Sequence, residues 1–263
     1  MKIATFNCNS IRVRLPIVLD WLERHRPDAL ALQETKATDR DFPAAAFHAA
    51  GWQVVYRGEK SYNGVALVTQ TPLDPADVAF GLEDGDGGAS ETRILRARLP
   101  GGVHLINAYV PQGRALDSEH FAFKLEWLAR LRRKLDEWYR PDRDQVAWVG
   151  DLNVAPSAID VYDSKKIWPH VCHCREVIDV FKNVADWGWE DVFRKHLPDA
   201  GNFTFWDYRF PINLEKNRGW RIDHILATCP LAERSRSCRV DLEPRRAASP
   251  SDHTFVVAEF ADF

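Results

Sequence analysis

A layered α/β or α+β domain is what this 263-residue sequence predicts. Two observations carry the prediction. Short apolar runs of strand length recur along the whole chain, and between them lie longer segments whose apolar residues fall at helical spacing. A third bears on organisation: no internal repeat and no long linker interrupts the alternation.

The strand-like runs are Lys2–Phe6, Ala29–Leu32, Gly64–Thr69, His104–Tyr109, Gln145–Val149, Ile222–Ala227 and Thr254–Phe260. Each is short, rich in β-branched or aliphatic residues, and bounded by polar or turn-forming residues. Helical segments are expected at Pro16–His25, Glu119–Tyr139 and Arg175–Trp187. In the second, Phe121, Leu125, Leu128, Leu131, Leu135 and Trp138 recur every three or four residues, which puts them on one helical face. The Gly- and Asp-rich stretch Glu83–Ser90 is a loop.

Composition excludes several classes. Hydrophobic residues make up 45% and charged residues 28% of the chain, the balance of an ordinary globular protein. No apolar run approaches the roughly 20 residues that span a bilayer, so no membrane association is expected. Met1 leads straight into a strand-like run, without the basic and apolar regions of an export signal. The five cysteines, Cys8, Cys172, Cys174, Cys229 and Cys238, are odd in number and scattered, which suits a reducing cytoplasm. A net charge of −3 argues against indiscriminate binding to nucleic acid, yet leaves room for one local basic face.

Polar residues cluster at the ends of the strand-like runs. Asn7 and Asn9 follow the first run, Gln33 and Glu34 the second. Tyr109 and Gln112 come at the end of Leu105–Ala108, and Asp151 and Asn153 after Val146–Val149. Asp223 opens Ile222–Ala227, and Asp252-His253 opens the last run. Strands stacked in sheets can bring such residues together along one rim, where loops on a rigid scaffold carry chemistry.

Each group has a functional and an ordinary reading. Glu34 is a hard oxygen donor of the kind magnesium takes, or a solvated turn acid. Asp151 and Asn153, two apart on a tight loop, can orient one water for attack, or simply form an Asx turn. An Asp paired with a His fixes its tautomer and stabilises its cation, so Asp252-His253 and Asp223-His224 suit a phosphate site, although Asp-His dipeptides also occur on plain surface. Phe205, Trp206, Trp220, Arg221 and Ile222 mix aromatics with a cation. They suit a sugar or base pocket, or ordinary core. Cys172-His173-Cys174 invites a zinc reading but lacks a second ligand pair. Asp84-Gly85-Asp86-Gly87 resembles a fragment of a calcium loop without its remaining ligands.

Taken jointly and in order, eight blocks point further. They are Ile3–Arg12, Leu32-Gln33-Glu34-Thr35-Lys36, Asn63–Ala66, Asn107–Gly113, Gly150-Asp151-Leu152-Asn153, Phe203–Arg209, Asn217–Asp223 and Ser249–His253. Together they closely resemble the exonuclease III family of abasic-site endonucleases, within the wider endonuclease/exonuclease/phosphatase superfamily. The resemblance covers essentially all of residues 1–263 and implies a single domain. The implied fold is a four-layered α/β sandwich of the DNase I type: two packed mixed β-sheets flanked by helices.

The resemblance also implies roles. Glu34 matches the principal magnesium ligand, with manganese able to substitute. Asn7 and Asp252 match residues that support the metal and its shell, and Asp151 with Asn153 the pair that positions water. Tyr109 matches a hydroxyl facing the phosphate or the leaving group. His253 matches the phosphate-binding histidine, and Asp223 its partner. Gln112 matches an amide beside the target phosphate. Phe205, Trp220 and Ile222 match the walls of a pocket for a flipped-out abasic sugar. Lys36, Arg114, Lys216, Arg218 and Arg221 lie in or beside these loops and make a basic strip against DNA phosphates. The implied partner is double-stranded DNA with abasic sites or damaged 3′ ends, handled by a monomer. Asn9 stands where some members carry an acid, and Asp160–Glu176 departs from the pattern.

Two other readings compete. A lipid or inositol phosphatase of the superfamily shares the metal-side blocks but not Phe205, Trp206 and Trp220. A non-catalytic DNA-binding relative is expected to have lost Glu34, Asp151, Asn153 or His253, and all four are present.

Overall fold

The computed structural model describes residues 1–85, 88 and 90–261. Part of the Glu83–Ser90 loop, with Asp86 and Gly87 of the calcium-like fragment, lies outside the described residues. In chain order the elements are β1 Lys2–Asn7, α1 Ile11–His25, β2 Ala29–Gln33, α2 Ala44–Ala49, β3 Gln53–Arg57, β4 Val65–Thr69, β5 Val78–Phe80, β6 Ile94–Arg98, β7 His104–Tyr109, α3 Glu119–Trp138 and β8 Val146–Asp151. There follow α4 Ser164–Ile167, α5 Arg175–Ala185, β9 Trp189–Asp191, α6 Val192–His196, α7 Ile212–Glu215, β10 Asp223–Thr228, α8 Cys229–Ala232, β11 Ser235–Asp241 and β12 Phe255–Phe260.

Among the described residues the strands form two six-stranded mixed sheets, ordered β11-β12-β1-β2-β4-β3 and β5-β6-β7-β8-β10-β9. The two share one plan. At the centre of each is a parallel pair, β1 with β2 and β7 with β8, and every other pairing is antiparallel. A parallel pair needs a crossover, and α1 and α3 supply it.

Strand alternation explains the layers. In β1, Ala4 and Phe6 join the core that α1 covers with Val18, Trp21 and Leu22, while Ile3 points into the core between the sheets. Phe6, Phe255 and Trp21 stack with centroids 4.0 and 4.3 Å apart. On the other side α3 and α5 cover the second sheet with Leu128, Leu131, Leu135, Val177 and Phe181. The order helix, sheet, sheet, helix is the four-layered sandwich expected. Both faces of the central strands are buried, which is why they read as continuous apolar runs.

Four strands absent from the sequence reading, β3, β5, β9 and β11, are the four sheet edges. Their residues are mostly half-buried and mix polar with apolar side chains, so they carry no apolar run. The inner strand β6 was also missed. Helix α1 begins at Ile11, five residues before the expected start, and carries Pro16 inside it. Proline is favoured at a helix start, but here packing of Ile11 overrides that preference.

Candidate active site

The residues singled out at the strand ends come together at one end of the inter-sheet core. Period-two alternation is the cause. Asn7 continues the inward face of Ile3 and Thr5, Tyr109 that of Leu105, Asp151 that of Ala147 and Val149, and Asp223 that of Ile225 and Ala227. The first sheet contributes Asn7 and Glu34, the second Tyr109, Asp151 and Asp223, and the loop entering β12 adds Asp252 and His253. Antiparallel register places Asp223 opposite Asp151, and parallel register places Tyr109 beside it. Gly150 permits that closeness, since a Cβ there would lie 2.0 Å from the carbonyl oxygen of Ala108.

Tight local conformations aim the side chains. Glu34 and Asn153 adopt left-handed backbone, with φ of 48° and 50°. Such a conformation costs an L-residue roughly 1–2 kcal/mol, least for Asn, and persists where neighbours enforce it. Around Glu34, the Ser10 N–H donates to its carbonyl at 2.7 Å, and Thr35 and Lys36 donate to Gly64 and Asn63. Asn153 N–H donates to Asp151 Oδ1 at 3.0 Å, the Asx turn of the ordinary reading.

One amide ties the two sheets' carboxylates together. Asn7 Nδ2 donates to Glu34 Oε1 at 2.9 Å and to Asp151 Oδ2 at 2.8 Å. Glu34 Oε2 lies 2.8 Å from Lys36 Nζ, which also donates to Asn9 Oδ1. Asn9 Nδ2 in turn donates to Asp252 Oδ1 at 3.0 Å. His253 Nδ1 lies 2.8 Å from Asp223 Oδ2, and its Nε2 lies 3.7 Å from Asp151 Oδ2.

Electrostatics follow from burial. Asp151 is pushed up to about 7, first by burial and then by the charges of Asp223 and Glu34, against the pull of His253 and the Asn7 amide. Burial pulls His253 down, but Asp223 and Asp151 outweigh it and raise it to about 10. Tyr109 is raised well above its usual range by burial, then by Glu34 and Asp151, so its hydroxyl stays protonated.

These groups open into a cleft of about 450 Å³. Its lining includes Asp151, Asn153, Asp252 and His253 together with Phe205, Trp220 and Ile222, and also Tyr162, Ile167, His170 and Phe210. Isolated strand bridges set Phe205 between Trp220 and His253, and the Phe205 and His253 rings meet edge to face at 5.0 Å. A second cleft of about 480 Å³ shares Glu34, Tyr109 and Gln112 with the first and is lined by the cations Lys36, Arg93 and Arg114. Among the residues not foreseen, His170 packs edge to face on Trp220 at 4.7 Å, and Arg93 lies over the Tyr109 ring at 5.2 Å. Neither sits in a run whose pattern marks it.

Two expectations need correction. Arg221 does not face the cleft. It is 1% exposed, with Nε 2.6 Å from Asp160 Oδ1 and Nη1 2.7 Å from Asp191 Oδ2, and Arg194 joins the same Asp160. A guanidinium so enclosed ties Asp160 to Asp191 inside the protein and lies over the Phe193 ring at 5.0 Å. Trp206 likewise points away, buried, with its indole N–H donating to Asn217 Oδ1 at 3.2 Å. The basic strip therefore loses Arg221, and Lys36 is occupied by Glu34. Arg114 and Arg218 remain exposed at the clefts, while exposed Lys216 lines neither of them.

The donor set suits a hard divalent cation. Glu34 already faces the Lys36 ammonium at 2.8 Å, and Asp151, Asp223 and His253 bring their ligand atoms within 4.8 Å of one another, with the two carboxylates as the donors while His253 is a cation. Among the described residues the Cys172-His173-Cys174 segment forms no such group. His173 instead bonds Ala155 O at 2.7 Å and Ser164 Oγ at 2.8 Å.

A two-sheet α/β sandwich with carboxylates, a charged Asp-His pair and a phenol at one end of its inter-sheet core defines a phosphoesterase class of protein. Residues 4–253 match the Endonuclease/Exonuclease/phosphatase family, and the chain belongs to that family. It is 33% identical to exodeoxyribonuclease III of Haemophilus influenzae, over 99% of this chain and 100% of that one. Among solved structures it is similar to an AP endonuclease from Archaeoglobus fulgidus (TM-score 0.94, 46% identity, 99% of both chains). It is also similar to the 3′-5′ exonuclease NExo from Neisseria meningitidis (TM-score 0.91, 41% identity, 100% of both chains). A related Neisseria structure, 40% identical over 99% of both chains with a TM-score of 0.89, is a 3′ phosphatase bound to product DNA hairpin.

Proposed function

We propose that this chain is a DNA repair nuclease of the exonuclease III type, which hydrolyses phosphodiester bonds 5′ to abasic sites in duplex DNA and trims 3′ ends. The observation that carries the reading is that the Asn7-Glu34-Asp151 network opens into a cleft also lined by the aromatic wall of Phe205 and Trp220, with Ile222. A lipid or inositol phosphatase has no use for that wall. An abasic sugar is cheap to extrude, because no base pair has to be broken, and an aromatic pocket accepts it while excluding a nucleotide that keeps its base. The relatives named as AP endonuclease, 3′-5′ exonuclease and 3′ phosphatase support the same substrate class.

In this reading the side chains divide the work. Asp151 and Asn153 orient a water toward phosphorus, and the proton released on attack passes toward Asp151. Asp151 suits that task because burial has raised its pKa to about 7. His253, held as a cation by Asp223, donates from Nε2 to a phosphate oxygen. Tyr109 keeps its proton and donates to the phosphate or the leaving oxygen. Gln112, exposed where the two clefts meet, flanks the target phosphate. Glu34 would hold magnesium, with Asp252 in its shell and Asn7 orienting the carboxylate. When bound, that ion neutralises charge gathering on the phosphate, and manganese can replace it.

Every one of these groups comes from one chain, so residues 1–263 act as one catalytic domain and a monomer suffices. Five free cysteines, four of them buried, fit a reducing cytoplasm. Among the described residues no helix is long and apolar enough to cross a membrane. The test is incubation with matched duplexes carrying an abasic analogue, a 3′-phosphate or a blunt end, with and without magnesium. Magnesium-dependent incision 5′ to the abasic analogue is expected, and inertness toward all three duplexes refutes the reading.

A further inference from the structure

Helix α3 carries a lysine on its apolar face. Phe121, Lys124, Trp127, Leu128, Leu131 and Leu135 follow helical spacing and are all buried, and Lys124 is 0% exposed. An ammonium so placed is costly unless its donors are matched. Here Nζ donates to Asn153 O at 2.6 Å, Val171 O at 2.7 Å and Gln112 O at 3.2 Å, with Cys172 Sγ at 3.9 Å. Three N–H donors meet three main-chain oxygens.

We propose that Lys124 is a positioning residue of the active site: its buried ammonium pins the loops that carry Gln112, Asn153 and His170 into one geometry. The proposal rests on the nuclease reading above and deepens it.

The three oxygens belong to three segments far apart in sequence, and each supplies residues to the catalytic cleft: Gln112 after β7, Asn153 after β8, and His170 and Cys172 beside Val171. The most consequential contact is with Asn153. Its left-handed backbone turns its carbonyl to Lys124, while its Nδ2 donates to Val110 O at 3.0 Å. Main chain and carboxamide are thus both held, and Oδ1 accepts from the Cys172 thiol at 3.8 Å, while Asn153 lines the cleft. Gly113 makes room for the arrangement. A Cβ there would come within 3.3 Å of Lys124 Cδ and 3.4 Å of Val171 Cβ. Main-chain oxygens are the same whatever side chains the loops carry, so one ammonium fixes the loops without dictating their sequence.

Lys124 touches neither DNA nor metal in this scheme, so its loss should act through Asn153. The experiment is a double-mutant cycle on the full chain with magnesium and an abasic-analogue duplex: wild type, Lys124→Met, Asn153→Ala and the double variant, assayed well below their melting temperatures. Methionine keeps the unbranched stem and removes the donors. The expected result is a fall in kcat on the order of 100-fold for Lys124→Met, the cost of small misplacement, with KM little changed. In the Asn153→Ala background the same substitution should cost less than about tenfold, because residues acting through one another are non-additive. Equal losses in both backgrounds, or near-normal kcat, overturn the proposal. If the methionine variant does not fold, Lys124→Gln goes through the same cycle and is read the same way. Failure of the wild type to cut the duplex sinks the nuclease reading itself, whereas a cutting wild type with an indifferent Lys124 variant sinks only the clamp.

Discussion

His253 sits between two carboxylates, with Nδ1 2.8 Å from Asp223 and Nε2 3.7 Å from Asp151, and both neighbours are buried. Burial alone would keep the ring neutral, but the two acids reverse that and raise its pKa to about 10, against an ordinary value near 6.5. A group raised in the folded state stabilises the fold fully below its unfolded pKa. That contribution is lost as pH climbs from about 6.5 through about 10. In the metal-free protein, histidine NMR should show His253 protonated throughout the neutral range. Asp223→Asn should bring its titration down and cut turnover on the order of 100-fold. A His253 that titrates near 6.5 in the wild type contradicts the pairing.

Asp151 is raised too, because burial with the charges of Asp223 and Glu34 outweighs the pull of His253. Its folded pKa of about 7 exceeds its ordinary 3.8, so ionising it inside the metal-free protein weakens the fold as pH rises between those values. Asp151→Asn should therefore melt higher than wild type at pH 8, by a margin that shrinks toward pH 4, while turnover falls at least about 100-fold. Thermal melts at the two pH values, with single-turnover assays, decide it. A pH-independent melting difference speaks against a strained carboxylate.

The metal prediction rests on oxygen donors. Chelation with EDTA should abolish cleavage, and magnesium or manganese should restore it. Glu34→Gln should weaken the magnesium activation curve, shifting its midpoint upward, rather than weaken DNA binding. Full activity in the chelator without added metal would rule this out.

Arg221 and Arg114 should part company. Arg221 is enclosed by Asp160 and Asp191, so Arg221→Met leaves buried Asp160 with Arg194 as its remaining guanidinium, strips half-buried Asp191 of its own, and should cost at most about 3–5 kcal/mol of stability. Its effect on the salt dependence of DNA binding should be nil. Arg114 is exposed at the second cleft, and Arg114→Ala should lower the slope of log binding constant against log salt by about one, with little change in melting. The reverse assignment of effects would restore Arg221 to the DNA surface.

Trp220→Ala tests the pocket. Removal of a stacking aromatic should cost on the order of 1–3 kcal/mol in positioning the abasic sugar. The wider cleft should also admit nucleotides that keep their base, so the ratio of abasic to intact cleavage falls by more than turnover does. Melting temperature measured beside that ratio separates the cases. A destabilised enzyme with an unaltered ratio identifies Trp220 as core alone.

Much of this protein was legible in the chain. Runs such as Ala29–Leu32 and Gln145–Val149, apolar because both faces of their strands are buried, marked the central strands, and the polar residues at their ends marked the rim. The odd residues of β1 and β8 share a face with Asn7 and Asp151, so even the direction of those side chains is written in strand parity. The ordered motifs from Asn7 to His253 completed the reading. What the sequence did not mark were the inner strand β6 and, as a class, the edge strands β3, β5, β9 and β11. The half-buried faces of the edge strands need no apolar run, and their pairing is decided by neighbours distant in the chain.

Tertiary structure alone decided which polar groups meet. Arg221 and Trp220 are adjacent in sequence, yet one is enclosed by Asp160 and Asp191 and the other lines the cleft. Asn7 reaches both Glu34 and Asp151 only because two sheets, each built on its own parallel pair, pack with their strand ends in register. Lys124 shows the limit most plainly. Sequence places it on the apolar face of a helix, where a lysine looks out of place. Its partners are main-chain oxygens from three distant loops, and a backbone carbonyl leaves no mark in the sequence.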